Sequence, residues 1–231
     1  MIDLRDDLAG LLTTLSQTPA ATGGRTVMFM SAQAGEGVSS VAASFALLAA
    51  ETARKPVWLI DLDLRRNQAF NAFAVGEFSA KFGGVGPPYS AALKTRPFYT
   101  LEPEEDPSGS GVGALTAHRV GETRLMVTQF DASVLKPGQA LRIRTQPGYW
   151  EAVRAATDWA VIDAPALERA GAGLAIAAMM DSAVIVVKAD ATPPADVDNL
   201  RKRIMAHGGR VAGALLNRRR ADAQLTDRLS E

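Results

Sequence analysis

One stretch of the 231-residue chain constrains its fold more than any other: Thr26-Val-Met-Phe-Met-Ser-Ala-Gln-Ala-Gly-Glu-Gly-Val-Ser-Ser40. Its apolar start, Val27 to Met30, predicts a short buried strand. Ala34 to Gly37 predicts a glycine turn, and a helix opens at Ser39. A strand that passes through a Gly-rich turn into a helix N-terminus is a phosphate cradle, because backbone N–H groups and the helix dipole both favour an anion there. The P-loop pattern asks for a Lys immediately before the Ser/Thr, placed to reach the outer phosphates. Here that position is Val38. The loop has the outline of a phosphate site without its cation.

The flanking chain repeats the strand-to-helix theme. Ala42, Ala43, Ala46, Leu47 and Ala49 line a helix from Ser39 to about Thr52 whose small residues allow close packing on a sheet. Val57-Trp-Leu-Ile-Asp-Leu-Asp63 is apolar until its carboxyl end, the pattern of a parallel strand covered on both faces. Trp159-Ala-Val-Ile-Asp163 repeats it, again ending on a carboxylate. Ser182 to Lys188 is a β-branched strand. Pro193-Pro194 opens a helix to about His207, acidic early and basic late as the helix dipole prefers, and Val211 to Leu216 is a last strand closing on Asn217. Short helices are expected at 148–157 and 174–180, and a weak strand at 125–128. The expected fold class is α/β, a doubly wound and mainly parallel sheet with helices on both faces, whose ligands bind outside the strand carboxyl ends.

Three further segments complete the expected organisation. Residues 1–24 form a helix and linker, with Leu4, Leu8, Leu11, Leu12 and Leu15 as an apolar stripe that either packs on the domain or docks another subunit. Residues 25–220 are a single domain. Within it, 67–124 reads as an irregular insert, since Gly83-Gly-Val-Gly-Pro-Pro88 and the Pro, Gly and acidic residues of 102–113 are turn composition. Residues 221–231 are a short charged tail.

Composition bounds the partners. Lys plus Arg and Asp plus Glu both number 25, so no global field argues for nucleic acid or an acidic lipid surface. The absence of cysteine removes disulfides and thiolate chemistry. No apolar run approaches the roughly 20 residues of a membrane span, and the N-terminus lacks a signal-peptide pattern, so a cytoplasmic protein is expected. His118 and His207 have no metal-ligating neighbours at zinc spacing. A Rossmann dinucleotide site fails on its third glycine, because Ser40 stands where Gly or Ala is required.

Four groups then fall on one predicted sheet edge: the loop 34–40, Asp61 with Asp63, Asp163, and Asn217. Ser31-Ala-Gln-Ala-Gly-Glu-Gly-Val-Ser-Ser40, Leu59-Ile-Asp-Leu-Asp-Leu-Arg-Arg66, Val161-Ile-Asp-Ala-Pro165 and Gly213-Ala-Leu-Leu-Asn217 together resemble the nucleotide motifs of the bacterial tyrosine autokinases. These are P-loop ATPase domains of exopolysaccharide synthesis and export, distantly related to the ATPases that position division sites and plasmids. The resemblance covers most of 25–220, and the Asp-x-Asp-x-Arg run is its most specific element.

The resemblance implies a site for ATP or ADP with Mg²⁺. Ala34, Gly35, Glu36, Gly37, Val38, Ser39 and Ser40 would form the phosphate loop, with Gly35 and Gly37 admitting the backbone and Ser40 at the α-phosphate. Ser39, Asp61 and Asp163 would hold the metal. Asp61 and Asp63 would be catalytic, and Asn217 would read the base. The implied partner is a membrane polysaccharide co-polymerase or export protein, which would recruit the chain to the inner face of the cell membrane, and self-association into a homo-oligomer is left open.

The chain departs from the family in named places. Val38 replaces the Lys, and Ala166 stands where a second Pro is common. Tyr89, Tyr99 and Tyr149 are the only tyrosines, so the C-terminal tyrosine cluster is absent, and the N-terminal helix lacks the Glu/Arg oligomerisation motif. Arg65, Arg66, Lys136 and Lys188 are the candidates to replace the missing cation. Two other readings stay open: a catalytically inactive adaptor of the same machinery, and a division-site-positioning ATPase. The second lacks a basic amphipathic C-terminal helix.

Overall fold

The computed structural model describes residues 1–103 and 113–217. Its centre is an eight-stranded sheet. In chain order the strands are β1 (Arg25–Met30), β2 (Val57–Asp61), β3 (Val85–Ser90), β5 (Leu115–Val120), β6 (Leu125–Phe130), β8 (Trp159–Asp163), β9 (Ser182–Lys188) and β10 (Val211–Asn217), while β4 (Tyr99–Glu102) and β7 (Ala140–Ile143) pair separately. Across the sheet the order is β10-β9-β1-β8-β2-β6-β5-β3. The six strands from β10 to β6 are parallel, and β5 and β3 are added antiparallel at one edge. The expected doubly wound, mainly parallel α/β architecture is therefore the observed one.

The continuous apolar runs are explained by two covered faces. Along β1, Val27 and Phe29 point to one side and Met28 and Met30 to the other, the period-two alternation of a strand. The first side packs against α2 (Val38–Thr52), through Val41, Ala42, Phe45 and Ala49, and α1 (Arg5–Gln17) lies on α2 through Leu8 and Leu15. Of the two roles open to the N-terminal stripe, packing on the domain is the one observed. The second side is covered by α5 (Gly148–Ala156) and α7 (Pro194–Ala206), which contribute Trp150, Val153, Leu200 and Ile204. Between them in the chain comes α6 (Ala172–Ile176), continued by a 3-10 turn at Ala177–Met179.

The stretch 67–124 corrects the expectation of an irregular insert. It contains α3 (Gln68–Ala74), α4 (Glu77–Phe82), β3, β4 and β5. Its turn residues separate short elements: Gly121 has φ +44°, and a Cβ there would lie 2.0 Å from the Phe82 carbonyl oxygen. Pro87 and Pro88 are accommodated because β3 is the outermost strand, where a missing N–H interrupts no ladder. The expected loop at 102–113 falls mostly outside the described residues, as do Arg218, Arg219, Arg220 and the tail 221–231. Among the described residues no helix is long and apolar enough to cross a membrane.

Candidate functional site

The loop between β1 and α2 is held in a fixed curve. Gly35 and Gly37 adopt φ of +82° and +93°, the left-handed region where a side chain would be strained. Gly37 is the N-cap of α2, and the first-turn N–H groups of the helix are left without a side-chain cap. Glu36 is the anchor. Only 2% exposed, its carboxylate accepts from the backbone N–H of Gln33 (3.0 Å) and Lys188 (3.2 Å) and from the Thr192 hydroxyl. Asn217, at the end of β10, donates its amide to the Glu36 carbonyl at 2.8 Å. Both residues therefore tie the loop to the far half of the sheet, a role distinct from direct ligand contact.

Three carboxylates stand at the carboxyl ends of β2 and β8. Asp61 and Asp163 are register partners across the two parallel strands, and both are buried. Asp61 accepts from the N–H groups of Asp63 (2.8 Å) and Ala69 (3.1 Å), while Asp163 accepts from the Ser39 hydroxyl at the start of α2. Burial pushes the Asp61 carboxyl up to about 6, against the pull of those backbone donors. Burial also raises Asp163 well above the usual carboxylate range, and the neighbouring Asp61 adds to the shift. Asp63 is half-buried and pairs with Arg169 at 3.2 Å and more loosely with Arg66 at 3.7 Å.

These groups open onto one cleft of about 370 Å³. Its lining includes all seven residues of the loop 34–40, Asp61, Asp63, Asp163 and Asn217, so every sequence-predicted site residue converges there. Val38 lines it too, but is only 8% exposed and belongs to the apolar cluster against which Met1 and Leu4 pack. The N-terminal segment runs over the helix start, with Ile2 N–H 3.4 Å from the Ser40 hydroxyl and Leu4 N–H donating to Ser44 at 2.9 Å.

The turn after β8 also contributes, and sequence reasoning passed over it. Leu167 and Glu168 donate backbone N–H groups to the carbonyls of Ser31 and Ala32, stitching this turn to the loop. The Glu168 carboxylate accepts from Ala34 N–H at 2.6 Å, and Arg169 lines the cleft. The available signal was position: both follow the carboxyl end of a parallel strand, where α/β ligands bind. Of the four cations considered earlier, none lines the cleft; Arg65 donates instead to the Gln139 carbonyl.

The donor chemistry fits a magnesium nucleotide. Uncapped helix N–H groups and positive-φ glycines suit phosphate, and a hydroxyl beside buried carboxylates offers the hard oxygen ligands Mg²⁺ prefers. Among the described residues no three His, Cys, Asp or Glu side chains form a complete metal cage. That agrees with Mg²⁺ sites built from one or two carboxylates plus waters and substrate phosphates.

No protein-family model matches the chain, and no curated protein matches it significantly. Solved structures do. The VpsO kinase domain matches with a TM-score of 0.61 at 18% identity, covering 94% of each chain. The BceF tyrosine kinase domain matches with 0.56 at 17% identity, over 92% of this chain and 75% of that one. Cobyrinic acid a,c-diamide synthase from Mycobacterium smegmatis, solved with bound ADP and magnesium, matches with 0.53 at 14% identity, over 90% and 81%. At these identities the likeness is one of fold: the doubly wound, mainly parallel α/β architecture is shared with these proteins.

Proposed function

We propose that the chain binds Mg–ATP or Mg–ADP in the cleft and acts as a tyrosine-autokinase-like regulator of a membrane polysaccharide co-polymerase in exopolysaccharide synthesis and export. One observation carries the nucleotide reading. The positive-φ loop, the uncapped start of α2, the Ser39–Asp163 hydrogen bond and Asp61 all meet in a single cleft. The loop amides and α2 bind the phosphates, Ser39 with Asp61 and Asp163 holds the cation, and Mg²⁺ when bound neutralises phosphate charge. Asp61 and Asp63, adjacent at the carboxyl end of β2, are the catalytic pair that would orient and deprotonate an acceptor hydroxyl. The kinase-domain neighbours support the kind of protein. The co-polymerase partner and recruitment to the inner membrane face rest on the motif resemblance.

A specific observation favours a second reading, that of a nucleotide-binding adaptor without phosphoryl transfer. Val38 contributes an apolar, buried side chain where the transferring phosphoryl group needs a cation. Calorimetry with ATP and ADP, with and without Mg²⁺, tests the binding that both readings share. Mg-dependent heats support it, and none at millimolar nucleotide refutes both. Phosphotyrosine formation that is lost in Asp61→Asn then selects the kinase, whereas binding without phosphotyrosine selects the adaptor.

A further inference from the structure

Among the described residues, Arg169 is the one Lys or Arg side chain that lines the cleft. It stands on the turn that Leu167 and Glu168 stitch to Ser31 and Ala32, so its backbone is fixed against the flank of the phosphate loop. Its Nη2 reaches across the cleft to Asp63 Oδ2 at 3.2 Å, and about a third of the side chain is exposed, which leaves it room to turn. The loop itself presents only apolar Val38 at the position of the P-loop lysine.

We propose that Arg169 supplies the phosphate-binding charge that Val38 lacks, a step that rests on the nucleotide reading above. The guanidinium is held by Asp63. A nucleotide phosphate, carrying more charge than one carboxylate and offering paired oxygens, draws it off, because the planar fork matches two phosphate oxygens at once. The exchange also unpairs Asp63 as the phosphate arrives. The cation of this site thus comes from the turn after β8 instead of from the loop.

Titration calorimetry of Mg–ATP into the full chain tests this, on the native protein and on Arg169→Ala, Arg169→Glu, Val38→Lys and the double variant Val38→Lys/Arg169→Ala. Arg169→Ala is expected to weaken binding by about 10- to 100-fold, the loss of a charge-assisted contact. Its melting temperature should stay within a few degrees, since the pair with Asp63 is partly exposed. The double variant should recover most of the lost affinity, because a lysine at 38 restores the charge from the loop side. Should Val38→Lys fail to fold, Arg169→Glu carries the test and is expected to bind at least tenfold more weakly than Arg169→Ala. Native-like affinity in Arg169→Ala would overturn the assignment while leaving the nucleotide site standing. So would a folded double variant that recovers nothing although Val38→Lys binds, or equal affinity in Arg169→Ala and Arg169→Glu. Absence of binding in the native protein and in every variant would overturn the nucleotide reading itself, and this inference with it.

Discussion

Asp61 and Asp163 face each other in register across β2 and β8, two buried carboxyls on adjacent parallel strands with Ser39 donating to the second. Among the described residues neither carboxyl is in an ion pair, whereas Asp63, two residues after Asp61, pairs with Arg169. Burial disfavours the ionisation of both, and the charge of Asp61 adds to the effect at Asp163. Holding both carboxylates charged in this position is unfavourable, and under the proposed function a divalent cation would relieve that cost.

The first prediction follows from the sign of that shift. The Asp61 carboxyl is raised to about 6, so between pH 4 and 6 the folded chain keeps a proton that the unfolded chain has released. Stability of the metal-free protein therefore falls as pH rises through this window, by up to about 1.4 kcal/mol per pH unit for each such carboxyl. Asp3 acts oppositely. Burial lifts it, but hydrogen bonds from Arg5 and Lys81 outweigh burial and hold it at about 2, so its contribution is lost as pH falls below 4. Urea unfolding in EDTA should give a maximum near pH 4–5, and Asp61→Asn should raise the midpoint at pH 7 while flattening the slope above 4. An unchanged pH profile in Asp61→Asn would contradict the burial argument.

How much of this was legible in sequence depends on how far each signal reached. β2, β8 and β9 are apolar on both faces and end on polar residues, so their positions and their polar carboxyl ends could be read directly. The turn between β1 and α2 was legible because glycine at 35 and 37 has a backbone meaning, and both adopt positive φ. The region 67–124 was not. α3 and α4 span 7 and 6 residues, too short for a helical period to declare itself, and β3 carries two prolines that edge placement excuses. Arg169 stayed hidden for another reason: a charged residue in a short turn looks solvated until the turn is seen bonded to Ser31 and Ala32.

Glu36 carries the second prediction. Its buried carboxylate satisfies two backbone N–H groups and the Thr192 hydroxyl, so truncation leaves several donors unpaired at once. Glu36→Ala should destabilise the fold by about 2–4 kcal/mol, a fall in melting temperature of roughly 5–15 °C. Nucleotide affinity should fall with it, because the loop loses its tie to β9. Glu36→Gln retains acceptor capacity and should lose less than half as much. Differential scanning calorimetry decides the matter, and a melting temperature within 2 °C of native for Glu36→Ala, on the order of the scatter of surface substitutions, would contradict the anchoring role.

A third prediction concerns tyrosine. Tyr99 and Tyr149 are 1% and 2% exposed, and the Tyr149 hydroxyl donates to the Ala91 carbonyl at 3.1 Å, whereas Tyr89 on edge strand β3 is 55% exposed. A phosphoryl group on either buried ring would place strongly charged oxygens inside the core. If the kinase reading holds, phosphotyrosine should map to Tyr89 by mass spectrometry, and Tyr89→Phe should abolish it without lowering the melting temperature. Phosphate on Tyr99 or Tyr149 in folded protein would contradict the assignment.

The last prediction concerns Glu168, whose carboxylate accepts from Ala34 N–H at 2.6 Å. Ala34 opens the run of loop residues lining the cleft, so its amide is one of the donors that a phosphate oxygen would use. Under the proposed function the Glu168 carboxylate competes with phosphate for this donor, and a nucleotide must displace it and meet its negative charge nearby. Net worth of such a hydrogen bond is on the order of 0.5–1.5 kcal/mol. Glu168→Gln removes the charge but keeps the chain length, and Glu168→Ala removes both. Each should tighten Mg–ATP binding by roughly three- to tenfold. The gain should be larger for Ala, and larger at low ionic strength, where the carboxylate's repulsion is least screened. Because Glu168 is exposed, its truncation should leave folding intact, which circular dichroism will show. Weaker binding in both variants would mean that Glu168 supports the loop from outside the anion site, and that the amide of Ala34 is not among the phosphate donors.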